Sequence, residues 1–406
     1  MSFFPSKLQT VVILLCLGNI CFGWYLDESC KSDDPAVSNE LLVERWMQGA
    51  FNLSKAGLGA LQNLEDHNKV RGFRQGPIRK HQEELLDQIF RVAKNGNKID
   101  PEYEIWKQIK QVYNLVGRFK MTQDGGPQNL LAPSTPPVPN ANIHRKKARY
   151  RGLGDGDLVI YCDHSRFIEG ENCHGDKDPS YLCDTSFGRS DFIDDAFKQC
   201  RDSIATNSPV AAWSQPGSKA QQRPASVQLC PRFLQHTRKR IYPVFEEISG
   251  ALDALEDELL NAKIDGKHDV PLLTWACVGD CALFHEMTHI IPPPYDTVDV
   301  GPRPYGWFAA RNLSDSQGHR NADSYAYFAM GATLLSPTNG NTPMRATSKG
   351  GIKRLDKKWP WQETDSAQPS GSNESTTAAE SELEPASNKS RRNPPPRYTH
   401  GETAVV

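Results

Sequence analysis

The sequence lacks an apolar run of about 18 residues or more, the length that a membrane-spanning helix needs. It also lacks a basic excess, because 47 Lys and Arg residues stand against 49 Asp and Glu residues and the formal net charge is -2. Nucleic-acid-binding proteins usually carry a strong positive charge, so we expect no nucleic-acid partner. Only 38% of the residues are hydrophobic. This low fraction predicts that part of the chain forms no hydrophobic core and is unfolded.

The first 23 residues have the pattern of an export signal. Lys7 supplies the positive start, residues 11–17 form the apolar centre, and the small residue Gly23 predicts cleavage before Trp24. We therefore expect a secreted, extracellular protein with no membrane segment after signal removal.

Ten cysteines are present, and two of them, Cys16 and Cys21, lie in the predicted signal. The even set that remains predicts disulfides in an exported chain, although the sequence does not choose the pairing. The spacing of Cys277 and Cys281 is also compatible with a metal site, but we expect them to belong to separate disulfides.

The patterning predicts a mixed α+β chain with several parts. The sequence predicts three amphipathic helices at 39–61, 78–92 and 103–116, strands at 158–162 and 226–230, and a later helix at 238–261. The resulting domain prediction is a signal at 1–23, a folded domain at 24–349 and a disordered low-complexity tail at 350–406. Within the domain, we expect a helical part at about 36–120, a proline-rich loop at 121–149 and a further part at 150–349.

The string His285-Glu286-Met-Thr-His289 carries the clearest chemical signal. Histidines four residues apart lie on one face of a helix, so both imidazoles can reach a single tetrahedral Zn²⁺. Glu286 lies between them, where it can act on a water rather than on the metal. The motif predicts one zinc ion per chain, with Asp280 as the N-cap of the helix and the prolines after Ile291 as its end.

A third metal ligand must come from elsewhere in the chain. Pro292 and Tyr295 occupy the positions where a metzincin has Gly and His, and no Glu occurs between Glu286 and Glu363. This leaves several downstream candidates open: Asp296, Asp299, Asp315, His319 and Asp323.

Three further segments carry a resemblance to a known family: Thr297-Val-Asp299, Tyr305-Gly306 and Asn321-Ala-Asp323. Together with the histidine motif, they resemble the deuterolysin-like (aspzincin) family of fungal secreted zinc metalloendopeptidases, which is related to lysine-specific metalloendopeptidases. The chain departs from the family signature at Asp296, where the signature has Gly, and by three extra residues between Asp299 and Tyr305. Which peptide bonds such an enzyme would prefer to cleave, including whether it prefers lysine, stays open.

The resemblance implies a zincin-like fold in which helices pack on a small sheet. It also implies that Asp299 is the third zinc ligand and that Tyr305 stabilises the oxyanion. Asp323 would contact a ligand histidine and hold it in the right tautomer. The expected activity is hydrolysis of protein or peptide substrates by a monomeric enzyme, with Glu286 as general base. The alternative is a catalytically inactive secreted binding protein on the same fold.

Overall fold

Runs of helices are separated by groups of short strands in this computed structural model, so the architecture is mixed α+β, as the sequence predicts. The structure describes residues 23–32, 38–69, 77–92, 103–119, 153, 156–187, 189–208, 210–219, 223–253, 271–301, 304–336 and 342–355. The helices are α1 (Glu40–Lys69), α2 (Pro77–Phe90), α3 (Glu104–Arg118), α4 (Asp195–Arg201), α5 (Ser203–Thr206), α6 (Pro231–Thr237), α7 (Phe245–Asp253), α8 (Leu272–Ala276), α9 (Gly279–His289), α10 (Trp307–Arg311), α11 (Asp315–Gly318) and α12 (Ala322–Leu335). The strands are β1 (Trp24–Leu26), β2 (Leu158–Tyr161), β3 (Phe167–Glu171), β4 (Lys177–Asp184), β5 (Arg189–Phe192), β6 (Ala212–Gln215), β7 (Ala225–Leu229), β8 (Met344–Ala346) and β9 (Ile352–Arg354).

The three long N-terminal helices form where the sequence predicts them. Their apolar residues recur every three or four positions, and the resulting inner faces bury Trp46 and Trp106 completely. Leu41 is 75% exposed although it is apolar. It lies on the opposite side of α1 from the buried Val43.

A four-stranded sheet has the order β1-β2-β7-β6. β1, β2 and β7 are parallel, and β6 is the antiparallel edge strand. Every residue of β2 and β7 is buried, which is typical of parallel strands that are covered on both faces. The two strands confirm the sequence predictions at 158–162 and 226–230.

The cysteine-rich stretch between these strands forms an antiparallel sheet, β3-β4-β5. Its strands were not predicted, because they are largely polar and β4 contains Pro179. A buried ion pair between Arg166 and Asp184, 3.0 Å long, ties the sheet together, and Arg166 also donates to Gln228 of β7.

All eight cysteines of the described chain form disulfides: Cys30–Cys162, Cys173–Cys183, Cys200–Cys230 and Cys277–Cys281. The prediction of a disulfide-bonded chain is confirmed, and it fits an oxidising compartment. The expectation that Cys277 and Cys281 pair with other cysteines is wrong. The turn between α8 and α9 brings their Cα atoms to 5.1 Å from each other.

The C-terminal part of the fold extends further than the sequence predicted. β9 pairs with β8 in a hairpin, although residues 350–355 belong to the predicted tail. Gly350 in the connecting turn has a φ of +74°, and a Cβ there would lie 2.7 Å from the Trp307 ring. Only glycine fits this close approach, which lets the Gly350 carbonyl accept from the Leu273 N–H at 3.0 Å.

The later predicted helix at 238–261 is only partly right. The chain at Arg238–Val244 is not helical, and α7 begins at Phe245. Residues 1–22, 121–149 and 356–406, which include nearly all of the predicted signal, loop and tail, lie outside the described residues, and so does 254–261. Among the helices of the described residues, none has the length and apolarity needed to cross a bilayer.

Candidate metal centre

Helix α9 carries His285, Glu286 and His289 and is almost completely buried. All its residues from Gly279 to Thr288 are buried, because α9 packs against α1 and α12. Trp46 of α1 lies so close that a Cβ on Gly279 would be 2.0 Å from its indole ring.

The start of α9 differs from the sequence prediction. Val278 is the N-cap and makes no side-chain capping bond. Asp280 lies inside the first turn, fully buried, where it accepts from the backbone N–H groups of Phe245 and Cys281 at 2.8 and 2.9 Å. Burial raises the pKa of Asp280 to about 7, although these hydrogen bonds oppose the shift.

Three ligand atoms converge at the C-terminal end of α9. The two Nε2 atoms of His285 and His289 are 3.1 Å apart, and Oδ1 of Asp299 lies 3.2 Å from the first and 3.3 Å from the second. Within the described residues, this is the one group of three or more His, Cys, Asp or Glu side chains that could hold a metal ion. Bonds of about 2.0–2.1 Å to a tetrahedral ion place ligand atoms about 3.3 Å apart, so the triangle has the required size.

The chain segment after α9 positions Asp299. Thr297 donates its backbone N–H to the Thr288 carbonyl at 3.1 Å, and the Val298 N–H donates to the Arg320 carbonyl at 2.8 Å. The amide oxygen of the buried Asn321 then accepts from the Val300 N–H at 3.1 Å. Asp299 is therefore held between the end of α9 and the start of α12.

The outer nitrogens of both imidazoles have acceptors. Nδ1 of His285 lies 2.7 Å from Oδ1 of Asp323, and Nδ1 of His289 lies 2.9 Å from the Thr297 carbonyl oxygen. A carbonyl oxygen only accepts, so the Nδ1 of His289 donates and a neutral ring carries its lone pair on Nε2. The inner triangle thus consists of two imidazole nitrogens and a carboxylate oxygen, a donor set suited to zinc.

Asp323 connects two parts of the site. Its Oδ1 faces His285, and its Oδ2 accepts from the Gly306 backbone N–H at 2.6 Å. The same carboxylate therefore orients one imidazole and fixes the loop that carries Tyr305.

Tyr305 donates its hydroxyl to Oδ2 of Asp299 at 2.9 Å, while its side chain as a whole is 54% exposed. Partial burial of the hydroxyl end and the neighbouring Asp299 carboxylate raise the pKa of Tyr305. The phenol consequently stays a hydrogen-bond donor at neutral pH.

Glu286 points into the same region without a fixed partner. No hydrogen bond or ion pair of its side chain is found within the described part of the chain, although its charge acts on His289 and Tyr305. The carboxylate is therefore free to accept a proton from a water molecule.

The electrostatics of the triangle favour positive charge. Burial alone would lower the pKa of each imidazole. Hydrogen bonds to Asp299 outweigh this effect and raise the pKa of both His285 and His289. His285 is also hydrogen-bonded to Asp323, and its pKa is raised well above the usual range. Burial works against the ionised form of Asp299 as well, yet the two imidazoles lower its pKa. A cation bound here takes the place of those protons.

Two residues that make the site were not singled out for a role by the sequence. Thr288 lies inside the histidine motif and Thr297 in the following segment, and both are buried. No spacing rule points to hydroxyls at these positions. Of the other third-ligand candidates, Asp296 is exposed, and Asp315 and His319 are not part of the triangle.

Comparison of the chain with protein-family models, with curated proteins and with solved structures gives no match.

Proposed function

We propose that this chain is a secreted zinc-dependent endopeptidase with a zincin-like site, related to the deuterolysin-like (aspzincin) family. The observation that carries the proposal is the convergence of His285 Nε2, His289 Nε2 and Asp299 Oδ1 at 3.1–3.3 Å. The four disulfides support a secretory route.

His285, His289 and Asp299 would hold the zinc ion. A zinc ion held by these residues would supply Lewis acidity, which would polarise a peptide carbonyl and make the attacking water more acidic. The exposed sides of Asp299 and Tyr305 leave this end of the site open to a protein or peptide substrate.

Glu286 and Tyr305 carry the proton transfers and the charge stabilisation. The Glu286 carboxylate accepts a proton from the attacking water and delivers it to the leaving nitrogen. The Tyr305 hydroxyl turns from Asp299 to the carbonyl oxygen of the substrate and donates to it as negative charge develops there.

The test compares the wild-type protein with Glu286→Gln on denatured casein, with the zinc content of both measured by mass spectrometry. We expect one zinc per chain in both proteins, hydrolysis by the wild type that a chelator abolishes, and a rate about 10³-fold lower in the variant. Equal zinc contents without hydrolysis by the wild type would overturn the proposal and favour an inactive binding protein.

A further inference from the structure

His289 differs from His285 in what its outer nitrogen faces. His285 Nδ1 meets the carboxylate of Asp323, which only accepts when ionised. His289 Nδ1 meets two neutral oxygens, the Thr297 carbonyl at 2.9 Å and the Thr297 hydroxyl at 3.2 Å. The carbonyl only accepts and so favours a proton on Nδ1, whereas a hydroxyl can donate as well as accept. The direction of the Thr297 hydroxyl therefore decides whether it supports or opposes that tautomer of neutral His289.

We propose that Thr288 and Thr297 form a hydroxyl relay that keeps the proton of neutral His289 on Nδ1 and leaves Nε2 free for a divalent cation. The inference rests on the proposed metal site and adds two positioning residues to it.

The direction of the relay follows from its far end. Thr288 Oγ1 lies 2.7 Å from the His285 carbonyl oxygen, which only accepts, so the Thr288 hydroxyl donates to it. Thr288 Oγ1 also lies 2.7 Å from Thr297 Oγ1. Because the one proton of Thr288 is already committed, Thr297 donates to Thr288.

The near end of the relay is then fixed as well. With its own proton directed to Thr288, Thr297 Oγ1 can only accept from His289 Nδ1. The Thr297 carbonyl accepts from the same N–H. Both acceptors exclude the tautomer in which Nδ1 bears the lone pair, and that tautomer would direct an N–H at His285 and Asp299.

Burial keeps the relay in this direction. Thr288 is completely buried and Thr297 is 4% exposed, so bulk water does not supply replacement partners. The backbone bond from the Thr297 N–H to the Thr288 carbonyl, 3.1 Å long, holds the two residues in register. An unmet hydroxyl here would cost free energy, as every buried polar group without a partner does.

The relay predicts an unusual order of effects. Thr297→Val removes one acceptor of His289 but leaves the carbonyl, so Nδ1 still donates. Thr288→Val removes the acceptor of the Thr297 hydroxyl, which then turns its proton towards His289 Nδ1. The residue whose hydroxyl does not contact the His289 ring should therefore have the larger effect.

The experiment measures the ¹⁵N shifts of the His289 ring in metal-free protein, above the pKa of the imidazoles, and the affinity for Zn²⁺ by competition with a chelator. We expect Thr288→Ser and Thr297→Ser to match the wild type in both. In Thr288→Val, we expect the ring to shift towards the tautomer protonated on Nε2 and the zinc affinity to fall about 10- to 100-fold. Thr297→Val should lose less.

Thr288→Ala, which removes the hydroxyl without adding a methyl group in its place, replaces the valine variant if that protein does not fold. The relay is overturned if the Thr288 variant without the hydroxyl keeps the wild-type tautomer. It is also overturned if the zinc affinity of that variant stays within about twofold of the wild type. The tautomer is read without metal, so a wild-type protein that fails to cleave casein contradicts the proposed function and leaves this result standing.

Discussion

The hydroxyl of Tyr305 donates to the oxygen of Asp299 that faces away from the histidines, at a distance of 2.9 Å. The bond leaves Oδ1 of Asp299 directed at the imidazoles, and it places a phenol at the open edge of the triangle. Tyr305 thus helps to hold the ligand residue Asp299 in place. In the proposed mechanism, it also lies beside the position that the substrate carbonyl would take.

Replacing Tyr305 by Phe should lower kcat on a peptide substrate by about 10²-fold, because a donor to the developing oxyanion is lost. Zinc content should stay at the wild-type level, since His285, His289 and Asp299 remain. Steady-state kinetics and metal analysis of the purified variant check this. A normal kcat in this variant would show that Tyr305 does not take part in catalysis.

Replacing Asp323 by Asn should weaken zinc binding about 10- to 100-fold. The amide has one oxygen, and the Gly306 N–H needs it as an acceptor. The NH₂ group then faces His285 Nδ1 and favours the ring form with its proton on Nε2. Chelator competition measures the affinity, and Asp296→Asn, at an exposed position beside the site, serves as the control. Equal affinities in the two variants would contradict the expected role of Asp323.

Asp280 should make the folded state less stable as pH rises from about 4 to about 7. Its pKa is raised to about 7 in the folded protein, so the folded chain holds a proton that the unfolded chain has already released, and unfolding becomes easier with increasing pH. Urea unfolding in the presence of chelator, at several pH values, gives the slope. Asp280→Asn should flatten it, and an unchanged slope would show that another group is responsible.

The disulfides should differ in their contribution to stability according to the length of chain that they close. Cys30–Cys162 spans 132 residues and Cys277–Cys281 spans 4. Loop entropy predicts that replacing both cysteines by Ala costs about 5 kcal/mol for the first pair and about 2 kcal/mol for the second. Denaturant unfolding of the two double variants tests the order, and the reverse order would mean that local packing outweighs chain entropy.

The sequence predicts those parts of the fold in which one pattern persists over many residues. The spacing of Trp46, Leu85 and Trp106 with their apolar neighbours is enough to predict α1, α2 and α3. The short polar strands β3–β5 carry no comparable alternation, and Arg166 and Asp184 meet only through the folded chain. The pairing of Cys277 with Cys281 depends on the turn between α8 and α9, which spacing does not reveal.

At the site, the histidine spacing predicts the helix face but not the third ligand. Several aspartates follow α9, and the resemblance pointed to Asp299; the folded chain brings that residue to the imidazoles through the bonds of Thr297, Val298 and Val300. The proton positions on the imidazoles depend on which groups can only accept. That information lies in three-dimensional contacts such as Thr288 to the His285 carbonyl.

The hairpin β8–β9 bears on how a shortened version of this protein should be designed. An expression clone ending at residue 349, where the composition changes, would delete β9 and the Gly350 carbonyl that receives the Leu273 N–H. It would also remove a glycine that lies against Trp307, the first residue of the helix that follows the Tyr305 loop, and so loosen the support of that loop. A truncated form for crystallisation should therefore retain Leu355.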